Sequence, residues 1–368
     1  MNKDLELYIE SEIIPRYRDF DKAHKEDHVR TVIEQSLRYA GLYGADTDMA
    51  YAIAAFHDTG LTEGRKTHHL VSGTIIRQDM NLKKWFSEEQ IETMAQAAED
   101  HRASSDHEPR SIYGRIVAEA DRVIEPVTII RRTVQYGLSH YPELDKDGQW
   151  ERTLEHLHEK YAEGGYLKLW IPESPNAERL SGLRSIIRDE PKLKSIFEKL
   201  YAVEIKTIRP SSEEDIPAML ELVRQAKTIM RNDGNMHQWA SASYPGAEHL
   251  LNDIRNGNSY IMEENGVPVA TFAFIPGVEP TYNVIYEGEW IDDTTPYATI
   301  HRIASTIGSR GVAEACFRWC REQCGNLRID THRDNRIMRH VIDSFGFKYC
   351  GIIYLANGDE RLAYQLVD

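Results

Sequence analysis

Apolar positions recur every three or four residues through most of the first two hundred residues, a spacing that predicts helices. The run 29–44 puts Val29, Val32, Ile33, Leu37 and Ala40 on one face, with Gly41 or Gly44 available to end it. In 87–101, Ser87 and Gln90 form a capping box ahead of a stripe of Ile91, Met94, Ala95 and Ala98. A third helix is expected over 111–126, stopped by Pro126. No strand pattern precedes residue 202.

The pattern then changes. Residues 203–208 (VEIKTI) read as a strand, and Ser211-Ser212 after Pro210 opens a helix whose cap box is completed by Glu214. Residues 258–275 hold two β-rich runs around Glu264-Asn265-Gly266, a hairpin signal. Further strands are expected at 297–304, 326–331, 347–354 and 360–366, the last two joined by Asn357-Gly358. Helices fill 311–323 and 335–345. The expected fold class is therefore multidomain: an all-α domain over 1–204, then an α+β domain over 205–368, with little linker between them. A chain of 368 residues is long enough for two cores.

Composition narrows the function classes. A net charge of −15 argues against a broad nucleic-acid surface, which needs a basic footprint. No apolar run reaches the roughly 20 residues of a membrane helix. The first residues show no basic stretch followed by an apolar one, so no signal peptide is expected and the cytoplasm is the default location. Cys316, Cys320, Cys324 and Cys350 contain no CxxC pair, and three of them fall four apart on one helix face. They read as core thiols.

Histidine carries the first chemical signal. Ten of the fifteen histidines precede residue 205, several at predicted helix ends, beside acids in KAHKEDHV, AFHDTG and AEDHRAS and paired in KTHHLVSG. Imidazole and carboxylate together suit manganese, iron, cobalt, nickel or zinc.

His28, then His57-Asp58 after the small apolar run Tyr51–Phe56, then Asp121, resembles the H…HD…D pattern of the HD superfamily of metal-dependent phosphohydrolases. The resemblance covers roughly residues 20–130. His69-Leu70-Val71-Ser72-Gly73 and His101 resemble the positions that some HD families use for a second metal. The resemblance implies six ligands, His28, His57, Asp58, His69, His101 and Asp121, with Asp58 bridging two ions. His68 is the alternative to His69. It further implies catalytic roles for Asp58 and Lys66, a substrate contact at His24, and a small-molecule phosphoester substrate. No GYP motif follows, which disfavours cyclic-dinucleotide hydrolysis of that subtype.

The second half carries a different signature. Ser309-Arg310-Gly311-Val312-Ala313 follows a strand ending at Ile303-Ala304 and opens a helix, the form of a backbone cradle for pyrophosphate. Residues 206–368 resemble the GNAT superfamily of N-acetyltransferases, with Asn335 and Gly346-Phe347 in their expected places. The resemblance implies that Ile303, Ala304, Arg310, Gly311, Val312, Ala313 and Asn335 bind acetyl-CoA. Trp239 and Tyr244 would line the pocket of an amine acceptor, with Gly311 leaving room for a phosphate. Gly308 stands where the family's loop has Gln or Arg, and Ile342 where it often has a tyrosine acid. Tyr349 or Tyr354 would have to replace that acid, and Glu287, Glu289 and His301 are candidate bases.

Three readings follow. The leading one is a bifunctional enzyme hydrolysing a phosphoester and transferring acetyl from CoA. In the second, the GNAT-like half is a CoA-binding regulatory module on a phosphohydrolase. In the third, the histidine set holds a di-iron oxygenase centre.

Overall fold

The computed structural model describes residues 1–20, 26–105, 107–239 and 243–368. Its contacts separate two compact units, Met1–Thr133 with Trp150–Leu193, and Val134–Gln149 with Lys194–Asp368. The last division falls at Leu193, ahead of the boundary expected after residue 204, and Val134–Gln149 group with the second unit. Among the described residues no helix is long and apolar enough to cross a membrane.

In chain order the helical part contains α1 (Lys3–Tyr8), α2 (Glu26–Tyr43), α3 (Thr47–Phe56), α4 (His68–Gln78), α5 (Glu88–Asp100), α6 (Ile112–Ala120), α7 (Pro126–His140), α8 (Lys146–Tyr161), α9 (Asn176–Arg188) and α10 (Glu190–Glu204). The central element of the first unit is α3. Every residue from Met49 to Phe56 is buried, as an all-apolar helix requires, and it packs against α2, α5 and α6. The capping box on α5 forms as its sequence predicts. The third helix does not reach Pro126. It ends at Ala120, with Asp121 at its C-cap, and Pro126 instead opens α7 at the first helical position, where its missing N–H costs nothing.

The second unit holds β1 (Lys206–Pro210), α11 (Ile216–Asn232), α12 (Ala247–Arg255), β2 (Ser259–Glu264), β3 (Val267–Pro276), β4 (Ala298–Ser305), α13 (Val312–Gln323), β5 (Asn326–Thr331), α14 (Arg336–Phe345), β6 (Lys348–Tyr354) and β7 (Glu360–Val367). They form a seven-stranded sheet ordered β1-β2-β3-β4-β5-β7-β6, antiparallel except between β4 and β5. Two local expectations are corrected. Val203 and Glu204 finish α10 rather than start a strand, and Val203 is buried in the core with Val312. The cap box before α11 closes on Asp215, not Glu214. Cys316, Cys320 and Cys350 are buried and none of the four cysteines is bridged.

Gly311 shows why the start of α13 tolerates one residue type. Its φ is +72°, and a Cβ there would lie 2.9 Å from Val203 Cγ2 and 3.0 Å from the Ala202 carbonyl oxygen. The glycine is therefore needed for packing, beyond any need to approach a ligand. Gly311→Val is expected to destabilise the second unit by about 1–3 kcal/mol. A denaturant titration of the full chain reads this as an earlier unfolding midpoint, and an unchanged midpoint would show that Ala202 and Val203 give way.

Candidate functional sites

The first site is assembled from helix ends. His57, His101 and Asp121 occupy the C-caps of α3, α5 and α6, and His68 is the first residue of α4. A helix C-terminus leaves carbonyls without intrahelical partners. His57 Nδ1 donates to the Ala54 carbonyl at 2.7 Å, and His101 Nδ1 to the Ala98 carbonyl at 2.6 Å. His68 Nδ1 makes the same reach, to the Arg65 carbonyl at 2.7 Å. With the proton held on Nδ1, each Nε2 presents a lone pair in the opposite direction, the tautomer a metal needs.

Those nitrogens converge. His28 Nε2 lies 3.3 Å from His57 Nε2 and 3.2 Å from Asp121 Oδ1. His68 Nε2 lies 3.1 Å from His101 Nε2. Asp58 stands between the two groups. Its Oδ2 is 3.2 Å from His57 Nε2 and 3.6 Å from His28 Nε2, while its Oδ1 is 3.4 Å from His68 and 3.5 Å from His101. His28, His57, Asp58 and Asp121 form one cluster with metal-ligand spacing, and Asp58, His68 and His101 another.

The donor chemistry fits cations. Two pairs of Nε2 atoms, His28 with His57 and His68 with His101, face each other at distances that a shared cation would satisfy. The surrounding charges show the same demand. Burial lowers the His57 pKa, but the Asp58 and Asp121 carboxylates outweigh it and hold it up at about 10. Burial raises the Asp58 pKa, and His57, His101 and His28 override it to keep the carboxyl well below its ordinary range. Metal binding must displace those protons, so affinity should weaken on acidification.

The structure corrects one expected ligand. His68, not His69, enters the second cluster. His69 borders a separate hollow with Glu99 and Arg102, its Nδ1 is buried without a partner, and burial lowers its pKa to about 4. Consecutive helical residues diverge by about 100°, so only one of the two can face Asp58. Lys66 is exposed, and its carbonyl accepts from Arg102 at 2.8 Å. His24 lies outside the described residues. Three supports carry no pattern in the sequence: Tyr17 hydroxyl donates to the Ala55 carbonyl at 2.9 Å, Asp58 N–H donates to that hydroxyl at 3.3 Å, and Gly60 N–H donates to Ser72 Oγ at 2.9 Å.

The second site follows from the one parallel pairing. β4 and β5 pair only over Ala298–Ile300 and Leu327–Ile329. Beyond those residues a cavity of about 550 Å³ opens, lined by His301, Ile303, Asp330, Trp239, Tyr244 and Asn335 among others. Register shifts between β3 and β4 as one extra residue enters β4, and Arg302 takes φ +54°. Its guanidinium is held by both Asp253 oxygens at 2.7 Å, and it reaches the Tyr244 hydroxyl at 3.5 Å. His301 sits between Glu279 Oε2 at 3.4 Å and Asp330 Oδ1 at 3.7 Å, and Tyr282 hydroxyl donates to Asp330 at 2.7 Å. The His301 and Thr281 hydrogen bonds hold the Glu279 carboxyl at about 2 against its burial.

The remaining predicted residues divide. Asn335 caps α14 through Met338 N–H at 3.1 Å and donates to Gln238 Oε1 at 2.9 Å, so its side chain is committed to the backbone and to Gln238. Ala304 and Val312 are core residues. Arg310 borders a hollow with Gly308 and Ser309, and half-buried Ala313 packs against the core. The first turn of α13 has no capping side chain at Gly311, which leaves its amides uncapped at the positive end of the helix. Gln225, which sequence reading missed, accepts from Thr306 Oγ1 at 2.6 Å and Ile307 N–H at 2.8 Å and so fastens the loop before that turn. Ile342 is core, and neither Tyr349 nor Tyr354 is among the cavity's lining residues; both are exposed. Of the three candidate bases, His301 alone lines the cavity.

Residues 26–124 match the family model of the HD domain. No curated protein matches the chain. Among solved structures, an acetyltransferase of the GNAT family from Streptococcus agalactiae is similar at 33% identity, over 44% of this chain and 95% of that one, with a TM-score of 0.42. A GNAT-family acetyltransferase from Listeria monocytogenes is 17% identical over 44% of this chain and 93% of its own, with a TM-score of 0.34. A ribosomal-protein-alanine N-acetyltransferase from Brucella melitensis is 18% identical over 44% and 99%, with a TM-score of 0.31.

Gly60 offers a test of the first site. A Cβ there would collide with the His68 carbonyl and come within 2.7 Å of Ser72 N, so the turn after Asp58 and the start of α4 can meet only at glycine. Gly60→Ala is expected to cost about 1–3 kcal/mol and to displace His68. Elemental analysis should find metal lost from the second cluster before the first. Full occupancy of both would show that His68 does not depend on this contact.

Proposed function

Because the chain joins an HD domain to a domain of the GNAT acetyltransferase family, we propose that it is a bifunctional enzyme. Its first unit hydrolyses a phosphoester at a divalent metal centre, and its second transfers acetyl from acetyl-CoA to an amine. The observation that carries the first reading is the Asp58 carboxylate, each of whose oxygens faces a different pair of imidazoles. His28, His57, Asp58 and Asp121 would hold one ion, and Asp58, His68 and His101 the other. Ions so held would supply an activated water and polarise a phosphoryl oxygen. The chain's part is orientation: Nδ1–H bonds fix three ring tautomers, and the buried walls of α3 and α5 keep bulk water away.

In the second unit the uncapped amides at the start of α13 favour the pyrophosphate of acetyl-CoA, and the opening between β4 and β5 receives its acyl end. His301, between two carboxylates at the cavity wall, takes the proton of the attacking amine. Glu279 and Asp330 stabilise the imidazolium that results. A second reading, a CoA-binding regulatory domain, is favoured by Ile342, a core aliphatic residue where the resemblance places an acid.

Two experiments test these readings. Asp58→Ala is expected to remove metal from both positions and abolish hydrolysis of an aryl phosphate while leaving acetyl-CoA affinity unchanged. Full metal content in that variant would overturn the centre, and metal-dependent oxidation without phosphatase activity would favour a di-iron oxygenase. His301→Gln is expected to lower kcat for CoA release, across a panel of amines, by about a hundredfold with little change in KM for acetyl-CoA. Acetyl-CoA binding without turnover on any amine would establish the regulatory reading.

A further inference from the structure

The first unit contains a second, smaller hollow of about 100 Å³, several times the room one water needs. Its walls include Arg102, Arg122, Lys168 and Trp170. Arg102 and Arg122 directly follow His101 and Asp121, so the helix ends that supply the metal cluster also supply this pocket.

The buried polar groups here fall into two kinds. Glu119, fully buried, accepts from Trp170 N–H at 2.7 Å, Asn176 Nδ2 at 2.9 Å and the Ser174 hydroxyl, which fixes the chain segment carrying Trp170. Arg122 is the opposite case. It is only 9% exposed, yet its Nε and Nη1 have no hydrogen-bond partner, and the Trp170 indole Nε1 is buried without one as well. The guanidinium lies 6.0 Å from the Trp170 ring centroid, at the outer limit of a cation–π contact, which leaves its Nε and Nη1 hydrogens without acceptors. Unpaired buried donors are unfavourable, and here both residues that carry them line one hollow. The pocket's own carboxylates do not answer them. Asp100 accepts Arg110 N–H at 2.7 Å and its Nε at 2.9 Å, and Glu108 lies 3.8 Å from Arg115. Capping of helix carbonyls by Arg122 would explain a cation at the end of α6, but its Nε and Nη1 make no such bond.

We propose that this pocket is an oxyanion site, formed by Arg122 and Trp170 with Lys168 and Arg102, that receives a phosphate group. The proposal rests on the hydrolase reading only for the source of that group. If the phosphate belongs to the substrate, the enzyme acts on molecules carrying a second phosphate besides the one at the metal centre. If it is free inorganic phosphate, the site is regulatory.

Inorganic phosphate titrated calorimetrically into the full chain, first with metal and then after chelation, separates this site from the metal centre. Binding should persist after chelation, weaken at least tenfold in Arg122→Met, be partly restored in Arg122→Lys, and weaken severalfold in Lys168→Met. The last variant changes an exposed residue and guards against a folding defect at Arg122. Phosphate binding that disappears with the metal, or that survives unchanged in both Arg122→Met and Lys168→Met, would overturn the proposal. The source is read from kinetics of the metal-loaded chain. With a substrate phosphate, Arg122→Lys and Lys168→Met raise KM for a nucleoside diphosphate but not for an aryl monophosphate. With free phosphate, they remove its effect on the rate and leave both KM values alone. If no phosphoester is hydrolysed, the calorimetric arm still decides the site.

Discussion

Helix carbonyls that lack partners organise the helical half of this protein. His57 and His101 at the ends of α3 and α5, and His68 at the start of α4, each bond back to a carbonyl three residues earlier, and each thereby turns Nε2 away from the backbone. A ring held at one nitrogen has little freedom at the other. The bonds answer the helix ends and orient the cluster together, with no separate scaffold. Asp58 completes the arrangement because it lies where α3 has ended, with φ −110° and ψ 5°, so its carboxylate can stand beside the neighbouring imidazole rather than diverge from it.

That arrangement tolerates little change nearby. The Asp58 N–H is met by Tyr17 hydroxyl and the Gly60 N–H by Ser72 Oγ, both on other segments. The close approach of Gly60 to α4 sets where His68 begins. Thus α4 brings His68 to the cluster through a backbone contact that a single methyl group would prevent.

The second half uses the opposite helix end. The start of α13 leaves amides without a capping side chain where the helical half employs carbonyls, and the helix dipole favours negative charge there. The sheet decides where the cavity opens. Two parallel strands pair for three residues and then part, and an extra residue enters β4 at Arg302, whose side chain is locked by Asp253. His301, beside that irregularity, lines the cavity. The loop before α13 keeps its place through Gln225, a residue of α11 distant in sequence.

Much of this was legible in the chain itself. Periodicity marked α2, α5 and the β2–β3 hairpin, because a buried stripe repeats with the local backbone geometry and needs no partner to be seen. The order of His28, His57-Asp58 and Asp121 was legible as a resemblance to a known pattern, although the end of α6 before Asp121 was not announced by any local signal. Other features depended on distant contacts. Whether Pro126 stops one helix or opens the next turned on where α6 had already ended. His68 and His69 are equivalent in the sequence, two imidazoles at one helix start, and the rotation of α4 against Asp58 decided between them. The need for glycine at 311 arose from Ala202 and Val203, more than a hundred positions earlier in the chain. The hollow beside Arg122 has no sequence pattern, because an unpaired buried donor is defined by every group that packs around it.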